Sequence, residues 1–190
     1  MARLPRYYRY LRELAAGDEL RISSKQLGER MGLTPSQIRQ DLRWFGEFGQ
    51  QGYGYSVRGL FTSICSILGL GDEFTAVLAG RGAYAEAIAS LPLFTRCGVR
   101  LTARYDLDSG GEGGPDAFFA AHPADIAVLA VSDGGPELSL SLARMAAAHG
   151  CRGIWNLTNA ELDPAAVAPG VVVRNLSIGD SLMTLCYEMK

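Results

Sequence analysis

The sequence predicts an α/β protein in two parts, an N-terminal winged helix-turn-helix domain and a C-terminal Rossmann-type parallel sheet, ending in one more helix. Three observations carry that prediction. Residues 1–60 hold short amphipathic segments separated by hydroxyl caps and glycines. Residues 74–85 run from an apolar strand pattern through G-x-G-x-x-A into a helical stretch. Beyond them, short apolar runs alternate with a helical segment, the pattern of parallel strands covered on both faces.

With 190 residues, the chain has room for two unequal domains, since domains cluster near roughly 100–150 residues. The boundaries read as 1–72 for the winged helix with a linker helix, 73–176 for the sheet domain and 177–190 for the terminal helix. The hydrophobic fraction of 48% suits a globular protein, and no apolar run approaches the roughly 20 residues that span a bilayer. The start, MARLPRYYRY, lacks a signal-peptide apolar core. A cytoplasmic protein without a membrane partner is expected. Cys65, Cys97, Cys151 and Cys186 form no CxxC pair, and neither His122 nor His149 stands near them in a ligand spacing, so reduced thiols and no metal are expected.

The net charge of −2 conceals an asymmetry. Residues 1–60 carry ten Lys or Arg against six Asp or Glu, a net +4, while the other 130 carry eight against fourteen, a net −6. A basic head on an acidic body points to a polyanion-binding module joined to something else.

Within the head, RYYRYLRELA (6–15) sets Tyr7, Tyr10, Leu11 and Leu14 at helical spacing, one apolar stripe with the arginines left wet. Ser23 and Ser24 then offer an N-cap to a second helix whose Leu27 and Met31 share a face and whose stop is Gly32. Thr34 caps a third helix with Pro35 in its first turn and Ile38, Leu42 and Phe45 on its buried face. Helix, glycine turn, helix is the arrangement whose second helix can lie in the major groove of double-stranded DNA. Its outward candidates are Ser36, Gln37, Arg39, Gln40 and Arg43, supported by Ser24, Lys25 and Thr34. Arg and Gln suit base edges, whereas Ser and Thr suit phosphates. A solvated face on a small helical bundle is the competing explanation. GQQGYGYSV then suggests a hairpin wing carrying Tyr53 and Tyr55, and Val57, Leu60, Ile64, Ile67 and Leu68 mark a further amphipathic helix.

In the second part, Gly80, Gly82 and Ala85 stand in G-x-G-x-x-A order between strand and helix. The first glycine permits the tight turn, the second lets a pyrophosphate approach the backbone, and a small third residue lets helix and strand pack. Arg81, Ala83 and Tyr84 complete the candidate cradle, and the following helix N-terminus aims its N–H groups at the phosphates. Twenty-one residues beyond Ala85, VRLTARY ends at Asp106, where a carboxylate can accept from ribose hydroxyls and repel a 2′-phosphate. That favours NAD(H) over its phosphorylated form. DIAVLAV, GIWNL and VVVRNL supply further strands, with a helix around 136–148. Ligand is expected at the strands' carboxyl ends, near Ser132 and Asn156.

Together, LPRYYRYL, RISSKQLGERMGLTPSQIRQDLRWFGEFGQQGYGYSV and the AGRGAYA turn resemble the Rex redox-sensing repressors over nearly the whole chain. The run from Thr34 to Tyr55 is the most specific part. The resemblance implies a transcriptional repressor, not an enzyme, that binds a palindromic operator as a homodimer and holds NAD(H) in its Rossmann domains. It further implies that the helix near Asp180–Glu188 is exchanged between subunits, that NADH closes the dimer and releases DNA, and that NAD+ competes for the same site. The chain departs from the family pattern in several places. The segment Asp106–Asp125 is shorter than the one that normally adds a strand and a helix beside the adenosine. Leu91 and Ser177 stand where the family has a tyrosine and an aspartate that couple nicotinamide state to the reader. Gln40 replaces a basic residue and Trp44 a tyrosine.

Two alternatives stay open at the sequence level. One is a DNA-binding paralogue that has lost NADH sensing and holds another nucleotide or none. The other is a small Rossmann oxidoreductase. Against the latter, the sequence offers no separate substrate domain, and neither His122 nor His149 has a recognisable acid beside it.

Overall fold

The computed structural model describes residues 3–17, 19–45, 54–70 and 73–190. The chain divides into two compact units, Met1–Asp72 and Glu73–Lys190.

In the first unit, α1 (Leu4–Ala15) starts two residues before the predicted stretch, because Pro5 in its opening turn needs no N–H partner there. The strand β1 (Arg21–Ile22) follows, then α2 (Ser24–Met31), α3 (Pro35–Phe45), β2 (Tyr55–Ser56) and α4 (Val57–Ile67). Ser23 and Gln26 close a reciprocal capping box on α2. Thr34 and Gln37 repeat it on α3: Gln37 N donates to Thr34 Oγ1 at 3.2 Å and Thr34 N to Gln37 Oε1 at 3.0 Å. The turn between these helices needs its glycines. Gly32 ends α2 at φ 65°, and a Cβ on Gly28 would lie 2.4 Å from the Leu33 carbonyl oxygen. Tyr7, Leu11, Leu27, Ile38, Leu60 and Ile64 share one core. Ile67, assigned by pattern to the buried face of α4, is 43% exposed. Helical spacing identifies a stripe, but where a neighbour stops covering it depends on packing.

The wing is only partly within the described residues, and Tyr53 lies outside them. The pairing observed is antiparallel between β2 and β1, with Arg21 opposite Ser56 and Ile22 opposite Tyr55. Among the described residues, β2 pairs with a segment more than thirty residues earlier, and the other arm of the hairpin expected within 49–57 lies outside them.

The second unit runs β3 (Phe74–Gly80), α5 (Gly82–Ser90), α6 (Leu93–Arg96), β4 (Val99–Asp106), α7 (Gly114–Ala121), β5 (Ile126–Ala130), α8 (Gly135–Ala148), β6 (Gly153–Asn156), α9 (Pro164–Val167), β7 (Val172–Asn175) and α10 (Ile178–Glu188). Five parallel strands lie in the order β4-β3-β5-β6-β7. Alternate residues of β3 serve opposite faces: Val77 and Ala79 join Phe118, Phe119 and Leu142, whereas Ala76 and Leu78 join Ile88 and Phe94. This two-sided burial explains the unbroken apolar run of the strand. The short segment after β4 retains the helix α7, and β4 is the edge of the described sheet. The strand order reverses between β3 and β5, so a crevice opens at their carboxyl ends.

Candidate DNA-reading and dinucleotide sites

On α3, the positions that face solvent include Ser36, Gln37, Arg39, Gln40 and Arg43, with Lys25 and Thr34 exposed beside them and Ser24 half-buried. Arg39 is already arranged, since its guanidinium donates to Ser24 Oγ at 3.2 Å and to Ser36 Oγ at 3.1 Å. The amide oxygen of Gln37 is committed to the Thr34 cap. Tyr55 is half-buried against the core of its unit.

The residues that aim α3 were not legible as such. Asp41, on the same helix, accepts from Arg3 Nη1 and from the Tyr7 hydroxyl, both at 2.9 Å. Tyr7 is fully buried, and desolvation, then the Asp41 carboxylate, push its pKa far above the usual tyrosine range. It therefore donates at any working pH. Arg6 Nη2 donates to the Met31 carbonyl at 2.8 Å, tying α1 to the end of α2. A lone acid among basic residues was the only sequence signal.

At the other site, Gly80 ends β3 between Asp106 of β4 and Ala130 of β5. A Cβ there would come within 2.6 Å of both the Ala130 carbonyl oxygen and Ala85 Cβ. Gly82 takes φ 57° with nothing within 4 Å of a built Cβ, so its backbone is open to a ligand. Arg81 caps α5 without a side-chain hydrogen bond, which leaves the first N–H groups for an anion. This cradle fits a pyrophosphate. Asp106 accepts from Asp108 N and Ser109 Oγ at 3.0 and 3.1 Å, and those bonds, the Asp108 amide foremost, hold its pKa below the usual carboxylate range. It is an exposed carboxylate at the strand end, suited to ribose hydroxyls.

Arg81 reaches over the turn. Its Nη1 lies 3.3 Å from Asp133 Oδ1 and its Nε 2.8 Å from Asp108 Oδ1. The second contact is an ion pair without hydrogen-bond alignment, so Nε is buried with no aligned acceptor. Ala83 is exposed, while Tyr84 is half-buried and donates to the Leu157 carbonyl at 2.9 Å. Ser132 lines a cavity of about 250 Å³ at the N-terminus of α8 with Val131, Gly134, Asn159 and Glu161. Asn156 does not line it. The side chain is fully buried, with Nδ2 donating to the Ala160 carbonyl at 2.6 Å and to Asn175 Oδ1 at 2.8 Å, while Oδ1 accepts from Thr158. With its amide so committed, Asn156 holds the 157–162 loop rather than touching the cavity.

His149 corrects one expectation: Asp116 Oδ1 lies 3.0 Å from its Nε2. That pair follows the far end of α8, whose fourteen residues separate it from the cavity by about 20 Å at 1.5 Å per residue. His122 Nδ1 lies 2.9 Å from the Phe118 carbonyl, to which it donates. Among the described residues no group of three or more His, Cys, Asp or Glu could hold a metal, and no helix is long and apolar enough to cross a membrane. Leu91, which ends α5, is 42% exposed. Ser177 caps α10 by accepting from Asp180 N at 3.2 Å. Ile178, Leu182, Leu185 and Met189 form an exposed stripe along that helix, none of whose residues is buried.

Comparison with known proteins adds independent findings. Residues 1–42 match the family described as "Putative DNA-binding protein N-terminus". The chain is 42% identical over 205 residues to the redox-sensing transcriptional repressor Rex of Clostridium botulinum (strain Eklund 17B / Type B), covering 98% of this chain and 92% of that protein. It is 40% identical over 203 residues to the protein of the same name from Clostridioides difficile (strain 630), covering 99% and 92%. A crystal structure of RSP in complex with beta-NAD+ and operator DNA aligns with TM-score 0.86 at 36% identity, over 99% of this chain and 89% of that one. RSP in complex with beta-NADH aligns with TM-score 0.81 at 33% identity, over 99% and 91%.

Proposed function

The chain belongs to the Rex family of redox-sensing transcriptional repressors, and we propose from that membership that it represses by binding a palindromic operator and releasing it as the NADH/NAD+ ratio rises. The observation that carries this reading is the combination, in one chain, of a clamped recognition helix and an open glycine turn fitted to a pyrophosphate.

In this reading Ser36, Arg39, Gln40 and Arg43 meet the major groove, while Ser24, Lys25, Thr34 and Gln37 meet phosphates. Tyr53 and Tyr55 belong to the wing. In the 73–176 domain, residues 80–85 cradle the pyrophosphate, Asp106 accepts from the ribose, and the Ser132 cavity receives the nicotinamide end. When bound, the dinucleotide would supply the redox signal by which of its two forms, NAD+ or NADH, occupies the site. The protein's own residues bind and orient, and no covalent step is required. The protein is thus a cytoplasmic regulator rather than an enzyme.

Two subunits are needed for a palindrome. The exposed stripe of α10, which spans most of the proposed 177–190 dimerisation segment, supports exchange of this helix with the partner. Each cofactor form then acts only through its differential affinity for two dimer shapes. Fluorescence anisotropy on palindromic duplexes tests this reading. Salt-sensitive, sequence-dependent binding that weakens with NADH and persists with NAD+ is expected, and operator binding indifferent to both cofactors would overturn it.

A further inference from the structure

Three loops meet over the glycine turn, and one cation holds them together. Arg81 stands between Gly80 and Gly82, and its guanidinium spans Asp108, beyond β4, and Asp133, beyond β5. The backbone repeats the same convergence: Leu107 N donates to the Gly80 carbonyl at 2.9 Å, and Arg81 N to the Ala130 carbonyl at 3.1 Å. The carboxylates of Asp108 and Asp133 are more exposed than Arg81, 56% and 64% against 34%. Pairs this open to water are weak. Buried Arg81 Nε has no aligned acceptor, so the resting arrangement leaves one strong donor unsatisfied where an anion is expected.

We infer that Asp108 and Asp133 form a charge latch that sequesters Arg81, and that a dinucleotide loads by drawing the guanidinium onto its pyrophosphate. This inference rests on the reading of the turn as a dinucleotide site and names what sets affinity there. Arg81 with Asp106, Asp108 and Asp133 sums to two net negative charges at the mouth. An incoming anion is therefore opposed until the cation is transferred to it. A bidentate guanidinium suits a phosphate better than two separate, exposed carboxylates. The latch thereby lowers affinity for every anionic ligand at this turn.

Calorimetric titration of NADH into the full-length protein and four variants tests it: Asp133→Asn, the pair Asp108→Asn with Asp133→Asn, Arg81→Met, and all three changes together. Neutralising both carboxylates is expected to tighten binding about threefold to tenfold, the scale of exposed pairs in a small network. Asp133→Asn alone gives a smaller gain. Arg81→Met weakens binding, and in its background the two asparagines no longer help. A gain of equal size with and without Arg81 would mean a diffuse charge effect and would overturn the latch. Wild-type binding left unchanged by the asparagines also overturns it, while the dinucleotide reading stands. No binding by any of the five proteins, with cooperative melting retained, overturns both. Binding only after the carboxylates are neutralised supports both.

Discussion

The Tyr7 hydroxyl donates to Asp41 Oδ2 at 2.9 Å, joining α1 to the middle of α3 across 34 residues of chain. Arg3 reaches the same oxygen, and the Asp41 side chain is 16% exposed. This bond fixes the rotation of α3, and with it which polar residues face outward. Tyr7→Phe removes the buried donor while leaving the ring, so the expected cost is about 1–2 kcal/mol of stability. Operator affinity falls with it as α3 loosens. Urea unfolding and anisotropy on the same samples check both effects.

Asp125 joins the start of β3 to the start of β6: Oδ2 accepts from Thr75 N and Oγ1 at 3.0 Å each, and Oδ1 from Arg152 at 2.6 Å. These bonds, the Thr75 amide first, hold its pKa below the usual carboxylate range. A carboxyl depressed on folding stabilises above its unfolded pKa, and the stabilisation is lost as pH falls through the folded value. Asp125→Asn is expected to lower the melting temperature near neutrality, with the gap to wild type closing once pH drops below about 4. Melting curves from pH 7 to pH 2.5 would show the convergence, and a constant gap would contradict it.

The two glycines of the turn are expected to differ. Gly80→Ala drives a methyl into the Ala130 carbonyl and Ala85 Cβ at 2.6 Å, an overpacking cost of about 1–3 kcal/mol. Gly82→Ala meets open space and suffers only its positive φ, about 1 kcal/mol. Denaturant midpoints should rank wild type, then Gly82→Ala, then Gly80→Ala.

Arg43 is an exposed cation in the last turn of α3. As a groove-facing residue, Arg43→Ala is expected to weaken operator binding and relax sequence preference. Uniform weakening across sequences, with the slope of log affinity against log salt lowered by about one, would assign it to a phosphate instead.

Leu182 and Leu185 lie on the stripe of α10, 62% and 52% exposed. Leu182→Asp with Leu185→Asp is expected to convert a dimer to a monomer in light scattering while the unit's melting temperature changes little, because α10 contributes no buried residue. A dimer that survives both charges would rule out α10 as the exchanged element.

Much of this molecule is local and therefore legible in the chain. Capping by Ser23 and Thr34, the stop at Gly32, the stripe through Tyr7, Leu11 and Leu14, and the glycines at 80 and 82 all act within about one helical turn or one tight bend, so spacing alone exposes them. The alternation of β3 between two cores follows from the period of a strand. Polar partnerships across elements were not legible. Asp41 could have been one more exposed acid, Arg81 a free cation and Asn156 a ligand. Each has a partner 19 to 52 residues away, and only strand order and helix packing bring those pairs together. The same reason separates Ile67 from Ile64 and gives β2 its partner in β1. Sequence periodicity dictated which faces must be buried and where the chain must turn. Tertiary structure decided which charges meet, because a side chain's hydrogen bonds depend on which neighbour the fold sets within about 3 Å.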